Sequence, residues 1–86
     1  MAILYSNHSV TRLGPRGATQ REVEEVLAKG LPEPARTGRH AKALVYPFGR
    51  HFGRRTHEQR KVKVIYAEEG ADMRVITVYV YYGSWQ

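Results

Sequence analysis

Lys61-Val62-Lys63-Val64-Ile65-Tyr66-Ala67, followed a few residues later by Met73-Arg74-Val75-Ile76-Thr77-Val78-Tyr79-Val80-Tyr81-Tyr82, decides the fold. Both runs are rich in β-branched and aromatic residues, which fit a pleated and half-buried surface. The first alternates, placing Val62, Val64 and Tyr66 on one side and Lys63 and Ile65 on the other. In the second, the even positions Ile76, Val78 and Val80 are aliphatic and should face a core. The odd positions Thr77, Tyr79 and Tyr81 can meet water or a ligand. Glu68 to Asp72 supplies the turn between them. An antiparallel hairpin covered on one face and open on the other follows.

Working outward, Ala43 to Phe48 also favours a strand, and Pro47, lacking an N–H, points to an edge position. Phe48-Gly49-Arg50-His51 is echoed by Phe52-Gly53-Arg54-Arg55, which reads as a glycine-rich turn or bulged hairpin. Leu31 to Arg39, with two prolines and a glycine, reads as an ordered loop with extended pieces. Two helices precede it. Ser6 or Asn7 can cap the first, which runs to Leu13 before Gly14-Pro15 stops it. Thr19 and Glu22 make a capping box for the second, with Ala18 and Val23 as a small staple and Gly30 as the stop. Val23, Val26 and Leu27 share a face of it that Leu31 should extend. With a short strand at Ala2 to Tyr5, the expected order is β-α-α-β-β-β. The expected fold is α+β, with two N-terminal helices on one face of a three- to four-stranded antiparallel sheet, in a single domain over residues 1–86.

Eighty-six residues bury only a modest core, so no enclosed cofactor is expected. The absence of cysteine excludes disulfides, thiolate metal sites and thiol catalysis. No apolar run approaches a membrane span and no signal peptide is visible, so a cytoplasmic location away from membranes is the expectation.

The net charge of +6 is local. Nine of the fourteen Lys and Arg residues, and three of the four His, lie between Arg36 and Lys63, where Glu58 is the one acid. Nine minus one gives +8 there, and the remaining five bases and seven acids give −2. Cations gathered in this way, with glycines and aromatics between them, fit a polyanion. Arg50, Arg54, Arg55, Arg60 and Lys63 are the candidate phosphate contacts, and Tyr79 and Tyr81 are candidates to stack bases. The tyrosines also suit ordinary cross-strand pairing on a half-wet sheet.

Metal-free RNA cleavage needs a base, an acid and a cation near the phosphate. His57 and Glu58, among Arg54, Arg55 and Arg60, supply these types, although Glu58 equally suits an ion pair with Arg60 or Arg55. His8 is a further proton-transfer candidate, four residues from Arg12 on the first helix. It can instead bond a backbone carbonyl, with Arg12 paired to an acid of the second helix. No metal site is expected, since His51 and His57 are six apart without a carboxylate pair.

Tyr5-Ser6-Asn7-His8, then Arg12, Arg16-Gly17-Ala18-Thr19 and Val23-Glu24-Glu25-Val26-Leu27, resemble the opening of a family of small bacterial domains of unknown function. Lys61 to Tyr66 and Arg74 to Tyr79 are similar to that family's terminal hairpin. More distantly, these domains resemble the BrnT-type and RelE-type toxins of toxin–antitoxin pairs. That resemblance implies a RelE/BrnT-like fold, metal-independent endoribonuclease activity and an acidic antitoxin partner. Two other readings stand beside it. One is a non-catalytic nucleic-acid-binding module. The other is an interaction protein whose basic face meets an acidic partner, or its own glutamate-rich helix in a homodimer.

Overall fold

The computed structural model describes residues 2–52 and 55–83, without the side chains of residues 12 and 48–58. Two helices and five strands form the described chain: β1 (Ile3–Tyr5), α1 (Asn7–Arg16), α2 (Gln20–Lys29), β2 (Leu31–Glu33), β3 (His40–Phe52), β4 (Arg55–Glu69) and β5 (Asp72–Gly83). The sheet order is β1-β5-β4-β3-β2. All neighbours are antiparallel except β1, which runs parallel to β5 with Ile3 beside Met73 and Tyr5 beside Val75. The fold is α+β, as the hairpin and capped helices require.

Several expectations are corrected. The sheet has five strands, because Leu31–Glu33, an extended piece of the expected loop, pairs with Ala41–Ala43, and it is mixed because β1 runs parallel to β5. Pro32 fits there because β2 is an edge strand, where a missing N–H costs no ladder bond. Leu31 does not extend the helical face: it opens β2 and is 73% exposed. The first helix passes Gly14-Pro15 and ends at Arg16. Proline before the last residue of a helix loses a single intrahelical bond. Gly14 before it has no Cβ to clash with the proline ring. Gly17, at φ 78°, then closes the helix with its N–H directed to Gly14 O and Leu13 O.

The capping expectations for α2 match the structure. Thr19 Oγ1 accepts from Glu22 N, and Glu22 Oε1 accepts from Thr19 N. Val23, Val26 and Leu27 are buried against the sheet. Gly30 ends the helix as expected, extended at φ −66° with its N–H donating to Val26 O at 2.7 Å. It is needed for close approach, since a Cβ there would lie 2.5 Å from Val26 O and 3.1 Å from Ala43 O.

Alternation in β4 is as read: Val62, Val64 and Tyr66 join the core with Val23, Val26 and Leu27. Each fully buried valine of this set contributes roughly 1.5–3 kcal/mol relative to exposure. In β5 the alternation breaks. Ile65 faces Thr77 but Tyr66 faces Val75, so Ile76 is an extra residue at a bulge. The helix-facing positions are therefore Val75, Val78 and Val80, and Ile76 drops out of the expected set. At the far end of that hairpin Gly70, at φ 62°, and Ala71 form the tight turn. Arg74 Nε donates to Glu69 at 2.8 Å across it, which holds the Glu69 carboxyl below its ordinary range.

The last β4–β5 pair is Gln59 with Gly83, yet β3 and β4 continue pairing to Phe52 and Arg55. Beyond Pro47 and Gln59, these two strands have only each other as sheet neighbours among the described residues. They form a two-stranded arm, with a register shift between Pro47 and Arg50.

Candidate nucleic-acid interface

The two helices cover one side of the sheet, α1 against β5 and α2 against β3 and β4. The other side is open. Strand pairing sets its residues in rows: Ala43, Lys63 and Tyr79 in one, Val45, Lys61 and Tyr81 in the next, Ala41, Ile65 and Thr77 in a third. Tyr79 and Tyr81 are 39% and 44% exposed, with ring centroids 6.2 Å apart and tilted by 31°. Lys63, Tyr79 and Tyr81 thus share the surface expected from the alternation.

Lys61 lies on the same side, and both lysines meet Glu33 of β2. Lys63 Nζ is 3.6 Å from Glu33 Oε1, and Lys61 pairs with the other carboxylate oxygen. Ala41 and Ala43 on the intervening strand are small enough to let Glu33 reach across it. Among the described residues, two cations against one acid leave a net positive charge.

Arg16 reaches the sheet from the end of α1. Its Nη1 donates to Val78 O at 2.5 Å and to Thr77 Oγ1 at 3.3 Å, and its guanidinium lies 4.9 Å from the Tyr79 ring centroid. Because β1 pairs only as far as Val75, Val78 O sits on a free stretch of the β5 edge. The arginine satisfies that edge carbonyl and brings a cation beside the exposed ring.

The loop between β2 and β3 closes over the same side. Arg36 and Arg39 line a cleft of about 280 Å³ with Ala35, Ile65, Thr77 and Tyr79. Both arginines are exposed, and neither has a carboxylate partner among the described residues.

The basic window is therefore divided. Of its cations with described side chains, Arg36, Arg39, Lys61 and Lys63 serve the open side, while Lys42 and Arg60 serve the helices. Lys42 Nζ donates to Leu27 O at 2.9 Å, satisfying a carbonyl at the end of α2. Arg60 was expected to bind phosphate with Lys63, or to pair with Glu58. Instead the β4 alternation turns it to the opposite side, where it pairs with Glu22, donates to Gly17 O at 3.2 Å and lies 5.1 Å from the Tyr46 ring centroid. Tyr46 Oη donates to Glu25 at 2.6 Å. Burial, and then this bond to a carboxylate, raises the Tyr46 hydroxyl above its ordinary range.

His57, Glu58 and Arg55 lie on the arm strand of β4, and Arg50 pairs in register with His57. Their side chains, and Arg54 as a whole, fall outside the described residues. His57 is four residues along the strand from Lys61, about 13 Å at ~3.3 Å per residue. His8 is exposed on the first turn of α1, and its ring makes no hydrogen bond or ion pair with a described residue. No group of His, Asp or Glu among the described residues could hold a metal ion, and no described helix is long and apolar enough to cross a membrane.

Sequence reasoning missed Arg16, Arg36, Arg39 and Lys61. Lys61 was accessible from its parity with Lys63, and Arg36 from its place at the start of the basic window. Arg16 was hidden by the Gly14-Pro15 pair. The chain has no significant match to any family model, curated protein or solved structure.

Proposed function

We propose that the chain is a single-stranded RNA-binding domain of the toxin-like kind, with the open side of the sheet as its binding surface. The supporting observation is the pair of exposed rings, Tyr79 and Tyr81, flanked on one sheet side by Arg16, Arg36, Arg39, Lys61 and Lys63. Bases stack on rings while phosphates meet the cations, an arrangement that tolerates many sequences. An acidic folded partner satisfies the cations but leaves the rings unused. The glutamate-rich helix suits a homodimer contact less, because Glu22 and Glu25 are already engaged within the chain.

Cleavage belongs to a second reading, favoured by the register of Arg50 opposite His57 on the arm. In it, His57 and Glu58 move protons and Arg50, Arg54 and Arg55 bear the phosphate charge, whereas His8, on the turn of α1 anchored at Val75, sits at the other end of β5 and does not reach the arm. No metal is required for that chemistry.

The test is fluorescence anisotropy with labelled single-stranded RNA, the same RNA as a duplex, and an acidic protein as competitor. Tighter binding of the single strand is expected. A preference for the duplex, or displacement by the acidic protein alone, overturns the reading. Incubation of the RNA in EDTA tests cleavage: His57→Ala or Glu58→Ala should slow it by about 10²-fold or more. Growth arrest on expression of the chain alone tests the toxin character.

A further inference from the structure

We infer that the cleft under the β2–β3 loop is a subsite for one nucleotide carrying a phosphomonoester, the phosphate-bearing end of a single strand. This rests on the RNA-binding reading and specifies what one part of that surface recognises.

The loop is built to present two guanidinium groups together. Arg39 N donates to Arg36 O at 3.0 Å, and Gly38 between them has φ 81°. That is the third position of a four-residue turn, where a positive φ favours glycine. The turn places Arg36 and Arg39 at its two ends, so their side chains start within roughly 7 Å of each other. Glu33, the nearby acid on this side, is engaged by Lys61 and Lys63 and neutralises neither arginine. The cleft therefore keeps a charge of two from the loop, beside the Tyr79 ring, the Thr77 hydroxyl and the apolar side chains of Ile65 and Ala35.

Its size limits the ligand. About 280 Å³ lies just below the roughly 300–1,000 Å³ of sites for drug-sized ligands, enough for one nucleotide and not for a run of them. Its charge selects within that class. An internal phosphodiester carries one negative charge. A terminal phosphomonoester, with a second pKa near ~6, carries close to two at neutral pH and offers three oxygens. Two planar forks match the second ligand better, since each can take two oxygens at once. The base then lies against Tyr79, with the strand continuing toward Lys63, Lys61 and Tyr81.

The experiment compares one short single-stranded RNA bearing a 5′-phosphate, a 3′-phosphate or only hydroxyl ends. One phosphorylated form should bind at least about fivefold tighter than the hydroxyl form at pH 7.5, with that advantage fading as pH falls through ~6. Arg36→Ala with Arg39→Ala should erase the advantage. Both side chains are exposed and have no ion-pair partner among the described residues, so the fold survives the change, checked by circular dichroism. Adenosine 5′- and 3′-monophosphate distinguish the source. Competition at least tenfold weaker than the phosphorylated RNA supports strand ends, and equal competition overturns them in favour of free nucleotides. Equal affinity for phosphorylated and hydroxyl ends, or an advantage that survives the double substitution, overturns the subsite while leaving RNA binding intact. Failure of every RNA to bind removes the broader reading.

Discussion

Replacing Tyr79 or Tyr81 with alanine removes a stacking surface while leaving every cation of the open side in place. A base stacked on an aromatic side chain is worth about 1–3 kcal/mol, or roughly five- to 150-fold in affinity. The Arg16 guanidinium lies against the Tyr79 ring, which leaves less of that ring for a base. Tyr79→Ala should therefore fall at the lower end, about five- to thirtyfold, and Tyr81→Ala anywhere in the range. Neither should change the salt dependence, because no phosphate contact is lost. Lys61→Met with Lys63→Met should do the reverse. Each phosphate contact to a single strand adds about 0.7 to the slope of log K against log salt, so losing two flattens it by up to about 1.4. Arg21→Ala, on the exposed part of α2, should alter neither quantity. The assay is anisotropy with single-stranded RNA across a salt series. Tyrosine variants that bind within twofold of the parent, or that flatten the slope, would show that the rings are ordinary cross-strand neighbours and refute the stacking argument.

Three further outcomes test the scaffold. Glu22→Gln should cost about 2–4 kcal/mol in urea unfolding, because it leaves a mostly buried Arg60 without its charged partner; a loss under 0.5 kcal/mol would mean the pair is solvent-screened. Gly30→Ala should cost about 1–3 kcal/mol by the same measurement, since the added carbon meets Val26 O and Ala43 O, both backbone atoms that cannot swing away. Tyr46 ionises more readily in the unfolded chain, near its ordinary value of 10.0, than in the folded one. Its contribution is complete below that pH and is lost as pH rises toward the higher folded value, so Tyr46→Phe should flatten the alkaline decline in stability. A decline unchanged by the substitution would place the alkaline sensitivity elsewhere.

Local signals carried much of the fold. The α2 capping box, its valine face and the β4 alternation are short-range patterns, set by backbone groups within one turn or by a period of two, and all three appear as read. What they do not encode is which strand lies beside which. The parallel pairing of β1 with β5 joins residues some seventy positions apart, and the bulge that removes Ile76 from the core is resolved only when β5 is laid against β4. Pro15 and Gly30 show the same limit at a smaller scale. Each is a helix breaker by composition, yet the first sits inside a helix end, and the second, which does end its helix, is also required by the close approach of β3.

By itself the sequence determined that this is a small α+β domain with a basic middle and an aromatic, lysine-bearing hairpin, because periodicity and charge are properties of the chain. Only the tertiary structure decided which cations lie on the open side of the sheet. Folding spends Lys42 and Arg60 on the helices, brings Arg16 from a distant helix to the β5 edge, and sets Arg36 and Arg39 over Tyr79. The physical reason is that a long cationic side chain takes the partners its side of the sheet offers, and strand pairing together with helix docking settles which side that is.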